Sequence, residues 1–448
     1  MKSKAIRRSP VHSVSYPHWL RIALPYAVFA IFSWLIYGVP RRMLGSSGDS
    51  LNRRYRDFLE FYSGAEALLK GNNIYTAGYL GYIYPPLLAF LMTPLAMLSI
   101  AQAAWVWLAI KICLLAACGW LGAKETQRRL AQPGDWVSLT IVFLLGMLLD
   151  IDKLRTEMNM QQSNLLVLLC FVLALRWIDR RPLLSGLVLG FGANIKYVTL
   201  IALPYLLLRK RFKAAAATVA GSVFWALLPA IAVGWNRNID LLGKALGGLA
   251  NLSSEHSGAA GTAQIYGPMF GWSITASTAR YFGAGLHTVP SIAVVCAIAL
   301  LYSLAIWGIY HSAKIPLLLG RGGQLETQGI TPGIVALEWA GLIVIALAFS
   351  PQTNSPHLSM LLLPCIVAVG VLLMPRGQIS GLPLIVGLLI MVMGLVLPPK
   401  EDRFIEAFKI WHNLAGPLWC TLIMYLTLLW VGLRRLKVAN KSTGTNFS

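Results

Sequence analysis

The chain has 448 residues, of which 57% are hydrophobic and only 12% are charged. Soluble proteins carry about 25% charged residues, so this composition argues against a soluble enzyme with one apolar core. The net charge of +21 is typical of a membrane protein whose cytoplasmic loops collect lysine and arginine, and does not call for a nucleic-acid partner.

Long apolar blocks along the chain predict an all-α polytopic membrane protein. The spanning segments are expected at 19–39, 101–122, 136–150, 163–178, 214–234, 288–310, 334–350, 358–374, 379–397 and 413–433. The stretch 183–208 is interrupted near Asn194 and Lys196, and is predicted to form two short helices that meet at the outer face. We therefore expect twelve crossings, an uncleaved N-terminal anchor and cytoplasmic termini. Residues 1–437 form one domain, and 438–448 are expected to be a disordered cytoplasmic tail.

The segment 82–98 has a different character, because it begins with Tyr84-Pro85-Pro86 and contains a further proline at position 94. Counting it as a crossing would change the side of every later loop. If it is re-entrant, the basic clusters at 124–129, 209–213 and 434–437 all fall on the cytoplasmic side, as the positive-inside rule requires. The segments 40–81 and 235–287 then become the long outer loops.

Residues 51–70 have apolar side chains at helical spacing and are predicted to form an amphipathic helix on the outer membrane surface. Its apolar stripe consists of Leu51, Tyr55, Phe58, Tyr62, Ala65 and Leu69. Asp57 lies on the polar face with Arg53 and Glu60. These charges either face a cavity or are simply solvated at an interface.

Five arginines crowd this outer loop, where the positive-inside rule disfavours them. They are Arg41, Arg42, Arg53, Arg54 and Arg56. Guanidinium groups suit phosphate oxygens. A cationic outer loop beside a carboxylate fits a substrate that carries phosphate.

Lys196 lies within an apolar stretch, which marks it as a functional residue or as a lysine extending to the interface. Gln161-Gln162-Ser163-Asn164 opens a helix whose N-terminus can favour an anion, although simple capping by Ser163 or Asn164 also explains it. His357 follows a Ser/Pro-rich turn at the outer end of 358–374, either as a phosphate or hydroxyl partner near Asp57 or as an ordinary helix-start residue.

The spacing of Asp150 and Asp152 permits a divalent metal ion, but solvation at a helix end is the commoner explanation, and no metal or cofactor is expected. The six cysteines all lie in apolar blocks without metal-ligand spacing.

Taken together, these residues resemble glycosyltransferase family 87. The first outer loop carries the resemblance through Asp57-Phe58, Tyr62, Ala65, Gly71, Tyr75, Tyr84-Pro85-Pro86 and Pro94. Further similarity comes from Gln162-Ser163-Asn164, Gly186, Lys196, the basic turn 209–213 and His357. Gln161 departs from the family, which usually has glycine there.

The resemblance implies a GT-C type fold and an inverting transfer of a sugar, mannose above all, from a polyprenyl phosphate to a glycolipid or envelope-glycan acceptor. It implies catalysis by Asp57 and His357 at the periplasmic face of a bacterial inner membrane. The expected phosphate-binding residues are Arg53, Arg54, Arg56 and Lys196. The expected substrate-binding residues are Tyr62, Tyr84, Gln162 and Asn164.

Two other functions remain open from the sequence. A transporter or flippase for lipid-linked sugars would use the same outer cations, but the chain shows one broken region without a matching partner. A ligase for lipid-linked saccharides would use a large outer loop, and 235–287 contains Arg237, His256, Arg280 and His287. Within that loop Asn251, Glu255, Gln264 and Tyr266 either line the acceptor side or only pack.

Overall fold

The computed structural model describes residues 16–45, 51–79, 81–250, 271–282, 289–317, 331–374 and 379–442, and every regular element in these ranges is helical. The helices of the N-terminal half are α1 (His18–Ile36), α2 (Gly38–Met43), α3 (Leu51–Tyr55), α4 (Phe58–Leu69), α5 (Pro86–Ala96), α6 (Ile100–Arg129), α7 (Trp136–Leu149), α8 (Ile151–Met160), α9 (Asn164–Trp177) and α10 (Pro182–Ala193).

The C-terminal half continues in the same way. Its helices are α11 (Ala202–Leu208), α12 (Phe212–Leu227), α13 (Ala230–Val233), α14 (Trp235–Ala250), α15 (Ile274–Tyr281), α16 (Val289–Ser312), α17 (Thr331–Phe349), α18 (Leu362–Leu373), α19 (Leu382–Val396), α20 (Ile405–Asn413) and α21 (Gly416–Ser442). Short 3₁₀ helices occupy Ile74–Thr76, Tyr197–Ile201, Ser355–Leu361 and Asp402–Phe404.

The expected polytopic class is confirmed by the length and composition of these helices. In the described ranges seven segments are long and apolar enough to cross a membrane: His18–Met43, Ile100–Arg129, Phe212–Val233, Val289–Ser312, Thr331–Phe349, Ser355–Leu373 and Gly416–Ala439. Six shorter apolar helices accompany them: Pro86–Ala96, Trp136–Leu149, Asn164–Trp177, Pro182–Ala193, Tyr197–Leu208 and Leu382–Val396.

Helix α5 is hydrogen-bonded to neighbouring helices at both of its ends. Just before it begins, the Tyr84 hydroxyl donates to Gln162 at the start of α9. Just after it ends, the carbonyl of Leu98 accepts a 2.8 Å hydrogen bond from the Tyr62 hydroxyl of α4. With 11 residues, α5 rises about 16 Å and is too short to cross a bilayer core, which agrees with the re-entrant segment predicted for 82–98. Twelve other apolar segments remain in the described ranges, of which seven are long enough to cross a membrane.

Ion pairs gather at the opposite end of the bundle. Asp179, in the turn between α9 and α10, accepts from Arg129 at 2.8 Å and from Arg211 at 2.7 Å. Trp107 of α6 instead donates to the carbonyl of Gln161, beside the start of α9. Between Trp107 and Arg129, α6 rises about 33 Å at 1.5 Å per helical residue, which is long enough to cross a bilayer core. Two of the predicted cytoplasmic clusters thus meet at one end.

Small residues allow α10 and α12 to pack closely. A side-chain carbon on Gly186 would overlap the carbonyl oxygen of Ala214, and one on Gly190 would overlap the backbone of Ser222. Close backbone approach through glycine is the usual way in which helices associate in a membrane. This contact fixes the direction of α10 and hence the position of Lys196, which follows it.

The prediction of one continuous helix over 51–70 is wrong. The chain breaks between α3 and α4, where Arg56 adopts a left-handed conformation with φ 54° and the Asp57 N–H donates to Met160 O at 3.2 Å. Glu60, expected on a polar face, is 6% exposed and accepts from the Tyr79 N–H. Leu51 and Leu69, expected in the apolar stripe, are each 53% exposed. The break turns Asp57 inward, which helical periodicity cannot anticipate.

Other expectations fall near the limits of the described residues. Helix α21 runs to Ser442, so the expected disordered tail begins inside a helix. The two long outer segments contact each other, because Arg237 of α14 donates to Asn72 O at 2.9 Å. The loop residues Asn251, Glu255, His256, Gln264, Tyr266 and His287 lie outside the described residues.

Candidate active site

Polar side chains from distant parts of the chain meet where α9 begins. The cluster consists of Asp57 from the turn before α4, Tyr84 before α5, Gln162 and Asn164 at the start of α9, Lys196 after α10, and His357 in the 3₁₀ helix Ser355–Leu361. Catalytic and binding residues predicted from the sequence therefore lie together, on the side of the bundle opposite the Asp179 ion pairs.

Gln162 links the carboxylate of the cluster to its cation. Its Nε2 donates to Oδ2 of Asp57. Its Oε1 accepts from the Tyr84 hydroxyl at 3.1 Å and from Lys196 Nζ at 3.0 Å. Because an ammonium only donates and a carboxylate only accepts, the Gln162 amide has one satisfied orientation.

Lys196 uses its remaining hydrogens on two further side chains. It donates to Asn164 Oδ1 at 2.7 Å, and its Nζ lies 3.2 Å from His357 Nε2. Facing an ammonium, Nε2 must be the acceptor, which leaves the proton of a neutral imidazole on Nδ1. His357 Nδ1 lies 2.5 Å from Asn354 Oδ1, which fits that tautomer, and 3.2 Å from the Asn354 backbone nitrogen.

The three reactive side chains are the accessible part of the cluster. Asp57, Lys196 and His357 are half-buried, whereas Gln162 and Asn164 are buried. The buried amides of Gln162 and Asn164 therefore hold a base, a cation and an imidazole in the more accessible part of the cluster. Such preorganised polar groups suit a reaction in which charge moves between two substrate atoms.

The surroundings shift the pKa values of Asp57 and Lys196 in opposite directions. Burial raises the pKa of the Asp57 carboxyl, an effect that the hydrogen bond from Gln162 and the charge of Lys196 oppose. Burial lowers the pKa of Lys196 to about 8, although the carboxylates of Glu157 and Asp57 favour its charged form. Both groups thus titrate closer to neutral pH than they do in water, as expected of groups in an active site.

Aromatic rings form one wall of the cluster. The Tyr84 ring lies 5.2 Å from that of Phe61 and 5.6 Å from that of Tyr82, in edge-to-face geometry. Lys196 Nζ lies 5.3 Å from the centre of the Tyr84 ring, within the range of a cation–π contact. The Tyr-Pro-Pro turn therefore contributes to the site through the ring as well as the hydroxyl of Tyr84.

Gln161 is the residue at which the sequence departs from the glycine usual in the resembled family, and it ends α8 in a left-handed conformation with φ 59°. Its side chain is fully buried, and neither amide atom has a hydrogen-bond partner in the described structure. The backbone thus keeps a glycine-like conformation although the residue has a side chain. Ser163, expected as a capping residue, is the N-cap of α9 but makes no side-chain capping bond.

A matched pair of substitutions tests this conformation. Gln161→Gly is expected to be more stable than Gln161→Ala by about 1 kcal/mol, because a Cβ atom is unfavourable in the left-handed region. Thermal unfolding in detergent measures the difference. At Thr156, inside α8, the same Gly and Ala pair should show the opposite order. Equal stability of the two Gln161 variants would contradict a left-handed backbone conformation at this position.

The predicted phosphate-binding arginines all precede Asp57 in the chain. They lie on α3 and in the turn between α3 and α4. Arg53 and Arg56 are exposed, whereas Arg54 donates to Gly45 O at 2.8 Å and is partly used in holding the loop. Tyr62 lies one turn into α4, where its hydroxyl bonds to Leu98 and its ring contacts Phe58. Its position supports packing of α4 on α5 rather than a contact with Asp57.

The carboxylates of Asp150 and Asp152 lie in different surroundings. Asp152 is half-exposed and pairs with Lys153 at 2.8 Å. Asp150 is 1% exposed, and neither of its oxygens has a hydrogen-bond partner in the described structure. Within the described ranges, no group of three His, Cys, Asp or Glu side chains is arranged to hold a metal ion.

Asp150→Asn is expected to stabilise the protein at neutral pH by on the order of 1–3 kcal/mol, since it removes a buried carboxylate. Burial raises the pKa of Asp150 well above its usual range, with Asp152 adding to the effect and Lys153 opposing it. The folded chain therefore holds a proton that the unfolded chain releases, so wild-type stability should fall as pH rises above about 4. The gain in Tm should grow with pH. A variant that is less stable at every pH would contradict this, and Asp152→Asn is the exposed control.

Two buried residues of the site were missed by sequence reasoning. Lys111 of α6 and Glu157 of α8 form a fully buried ion pair of 2.9 Å, and Glu157 also accepts from Asn164. Lys111 stands alone inside an apolar block, so the rule that marked Lys196 would also have marked it. Glu157 gives no such signal, because it lies in a polar stretch.

Comparison with known proteins places the chain in a family. No curated protein matches it. The sequence profile of glycosyltransferase family 87 matches residues 82–321, which is more than half of the chain. The matched part includes Tyr84, Gln162, Asn164 and Lys196. The resemblance noted in the sequence and the polytopic helical architecture agree with this match. The chain therefore belongs to glycosyltransferase family 87, and it is a multi-pass membrane glycosyltransferase.

Proposed function

We propose that this protein transfers a sugar, with inversion, from a polyprenyl phosphate to a glycolipid or envelope-glycan acceptor. The transfer takes place at the periplasmic face of a bacterial inner membrane, and mannose is the first sugar to test. The observation that carries the proposal is the junction of Asp57 and Lys196 through Gln162 in one half-buried polar cluster of an apolar helix bundle.

Asp57 acts as the general base on the acceptor. Its carboxylate takes the proton of the attacking hydroxyl while the hydroxyl oxygen forms a bond to the anomeric carbon. The bond from that carbon to the phosphate oxygen breaks on the opposite face, so the configuration inverts and the lipid phosphate leaves with the electron pair. A carboxyl whose pKa is raised by burial is a stronger base than one in water.

The cations act on the leaving phosphate. Lys196 is held by Asn164 and Gln162, so its charge is fixed beside the site before the substrate arrives. The exposed guanidinium groups of Arg53 and Arg56, in the segment just before Asp57, supply forked donors to phosphate oxygens. Fixed cations placed where negative charge develops lower the barrier for departure of the phosphate.

Sugar transfer in membranes from a host lacking the gene tests the proposal. Radiolabelled polyprenyl phosphate mannose is supplied to membranes with wild type, with Asp57→Asn or with Asp402→Asn, which alters an exposed carboxylate elsewhere in the chain. We expect wild type and Asp402→Asn to form a labelled product and Asp57→Asn to form none. If wild type consumes no polyprenyl phosphate sugar, whether hexose or pentose, the transferase proposal fails and movement of a lipid-linked sugar across a vesicle becomes the measurement.

A further inference from the structure

Behind the accessible cluster lies a buried ion pair that the proposed mechanism does not use. Lys111 and Glu157 have fully buried side chains, and Lys111 Nζ donates to both Oε1 and the backbone carbonyl of Glu157, at 2.9 and 2.7 Å. Replacement of a buried ion pair by apolar groups is often neutral or stabilising. Packing of α6 against α8 therefore does not by itself account for the pair.

Glu157 determines the orientation of the neighbouring amide. Its second oxygen accepts a 2.8 Å hydrogen bond from Asn164 Nδ2. Since a carboxylate only accepts, the Asn164 amide must present its oxygen on the other side, where Lys196 donates to it. One continuous chain of bonds thus joins Lys111, Glu157, Asn164 and Lys196.

The charged groups along this series of hydrogen bonds alternate in sign, and Lys196 is its accessible end. The charged and titratable groups that face it are Glu157 from α8, Lys111 from α6, Asp57 from the turn before α4, His357 from the 3₁₀ helix and Tyr84 from the turn before α5. Glu157 is the strongest of the charges that favour protonated Lys196, whereas Lys111 acts in the opposite direction more weakly.

We propose that Glu157, held by Lys111, is a positioning residue that orients Asn164 and keeps the Lys196 ammonium charged and fixed in place beside the leaving phosphate. The inference rests on the proposed function, because it assigns Lys196 to the leaving group. Glu157 itself contacts no substrate. Its effect on the reaction passes through Asn164 and through the field at Lys196.

Glu157→Gln tests the inference, because it keeps the shape and one acceptor oxygen while removing the charge. The protonation of Lys196 is followed by competitive acetylation with trace acetic anhydride over a pH series, read by peptide mass spectrometry. The inflection, near pH 8 in wild type, should move to lower pH in the variant. If the inflection moves by about one unit, the charged fraction of Lys196 at pH 8 falls from about one half to about one tenth, so sugar transfer at pH 8 should fall about fivefold. The alkaline limb of the transfer rate should move with the acetylation curve.

Two further variants keep the test decisive. Lys111→Gln with Glu157→Gln avoids an unpaired buried charge if the single variant folds poorly, and it should show the same direction of shift. Glu406→Gln alters an exposed carboxylate paired with Lys409 and should leave both curves unchanged. An unshifted Lys196 inflection in the folded Glu157 variants overturns the positioning role. Absence of sugar transfer by wild type overturns the proposed function instead.

Discussion

Replacing Asp57 by asparagine is expected to lower the rate of sugar transfer by about 10²- to 10⁴-fold, the contribution typical of a general base. Asparagine has nearly the same shape and offers an oxygen to Gln162 Nε2, so the hydrogen bond and the break between α3 and α4 can persist. What is lost is the ability to accept the proton of the acceptor hydroxyl.

Initial rates at saturating donor, measured over pH 5–9, separate this loss from a binding defect. Because burial raises the pKa of Asp57, the wild-type rate should fall on the acidic side at a pH above the ordinary value for an aspartate. The asparagine variant should lack this limb. A folded variant with more than a tenth of the wild-type rate would remove Asp57 from the catalytic role, and Asp402→Asn controls for loss of an acidic charge at the surface.

Lys196→Met should reduce transfer by about 10²- to 10³-fold, the cost of removing one fixed stabilising group from a transition state. Wild-type activity should also decline above about pH 8, because the pKa of Lys196 is lowered to that value and the neutral amine no longer attracts the phosphate. Activity should fall and not rise with increasing pH, since lysine is charged only below its pKa.

Lys196→Arg provides the sharper comparison. Arginine stays protonated over the whole range, so this variant should keep part of the activity and lose the decline near pH 8. Lys409→Met, at an exposed lysine, should behave as wild type. Persistence of the same alkaline decline in Lys196→Arg would show that another group titrates, and the assignment of Lys196 to the phosphate would fail.

The family match and the geometry support different parts of the functional argument. The matched segment, residues 82–321, contains Gln162, Asn164 and Lys196. Asp57 and His357 lie outside it. They join the cluster through hydrogen bonds that span 105 residues for Asp57–Gln162 and 161 residues for Lys196–His357. The proposed base is therefore linked to the recognised segment by the fold.

The sequence alone determined the membrane class and the number of apolar segments, and it predicted Asp57, Gln162, Lys196 and His357 as site residues. These follow from local properties: hydropathy over some twenty residues, charges that are costly in a membrane, and short motifs. The prediction that 82–98 does not cross rested on its three prolines and on the distribution of positive charge, both of which are visible in the sequence.

Only the tertiary structure decided how these residues meet. Helical periodicity predicted one straight helix over 51–70, but the bond from Asp57 N–H to the end of α8 favours a break that no local pattern encodes. The roles of Lys111 and Glu157 depend on α6 and α8 lying side by side, and the inward turn of Asp57 depends on the position of Gln162. Helix packing sets such contacts between distant segments, and the periodicity of one helix shows which face is buried but not which side chain it will meet.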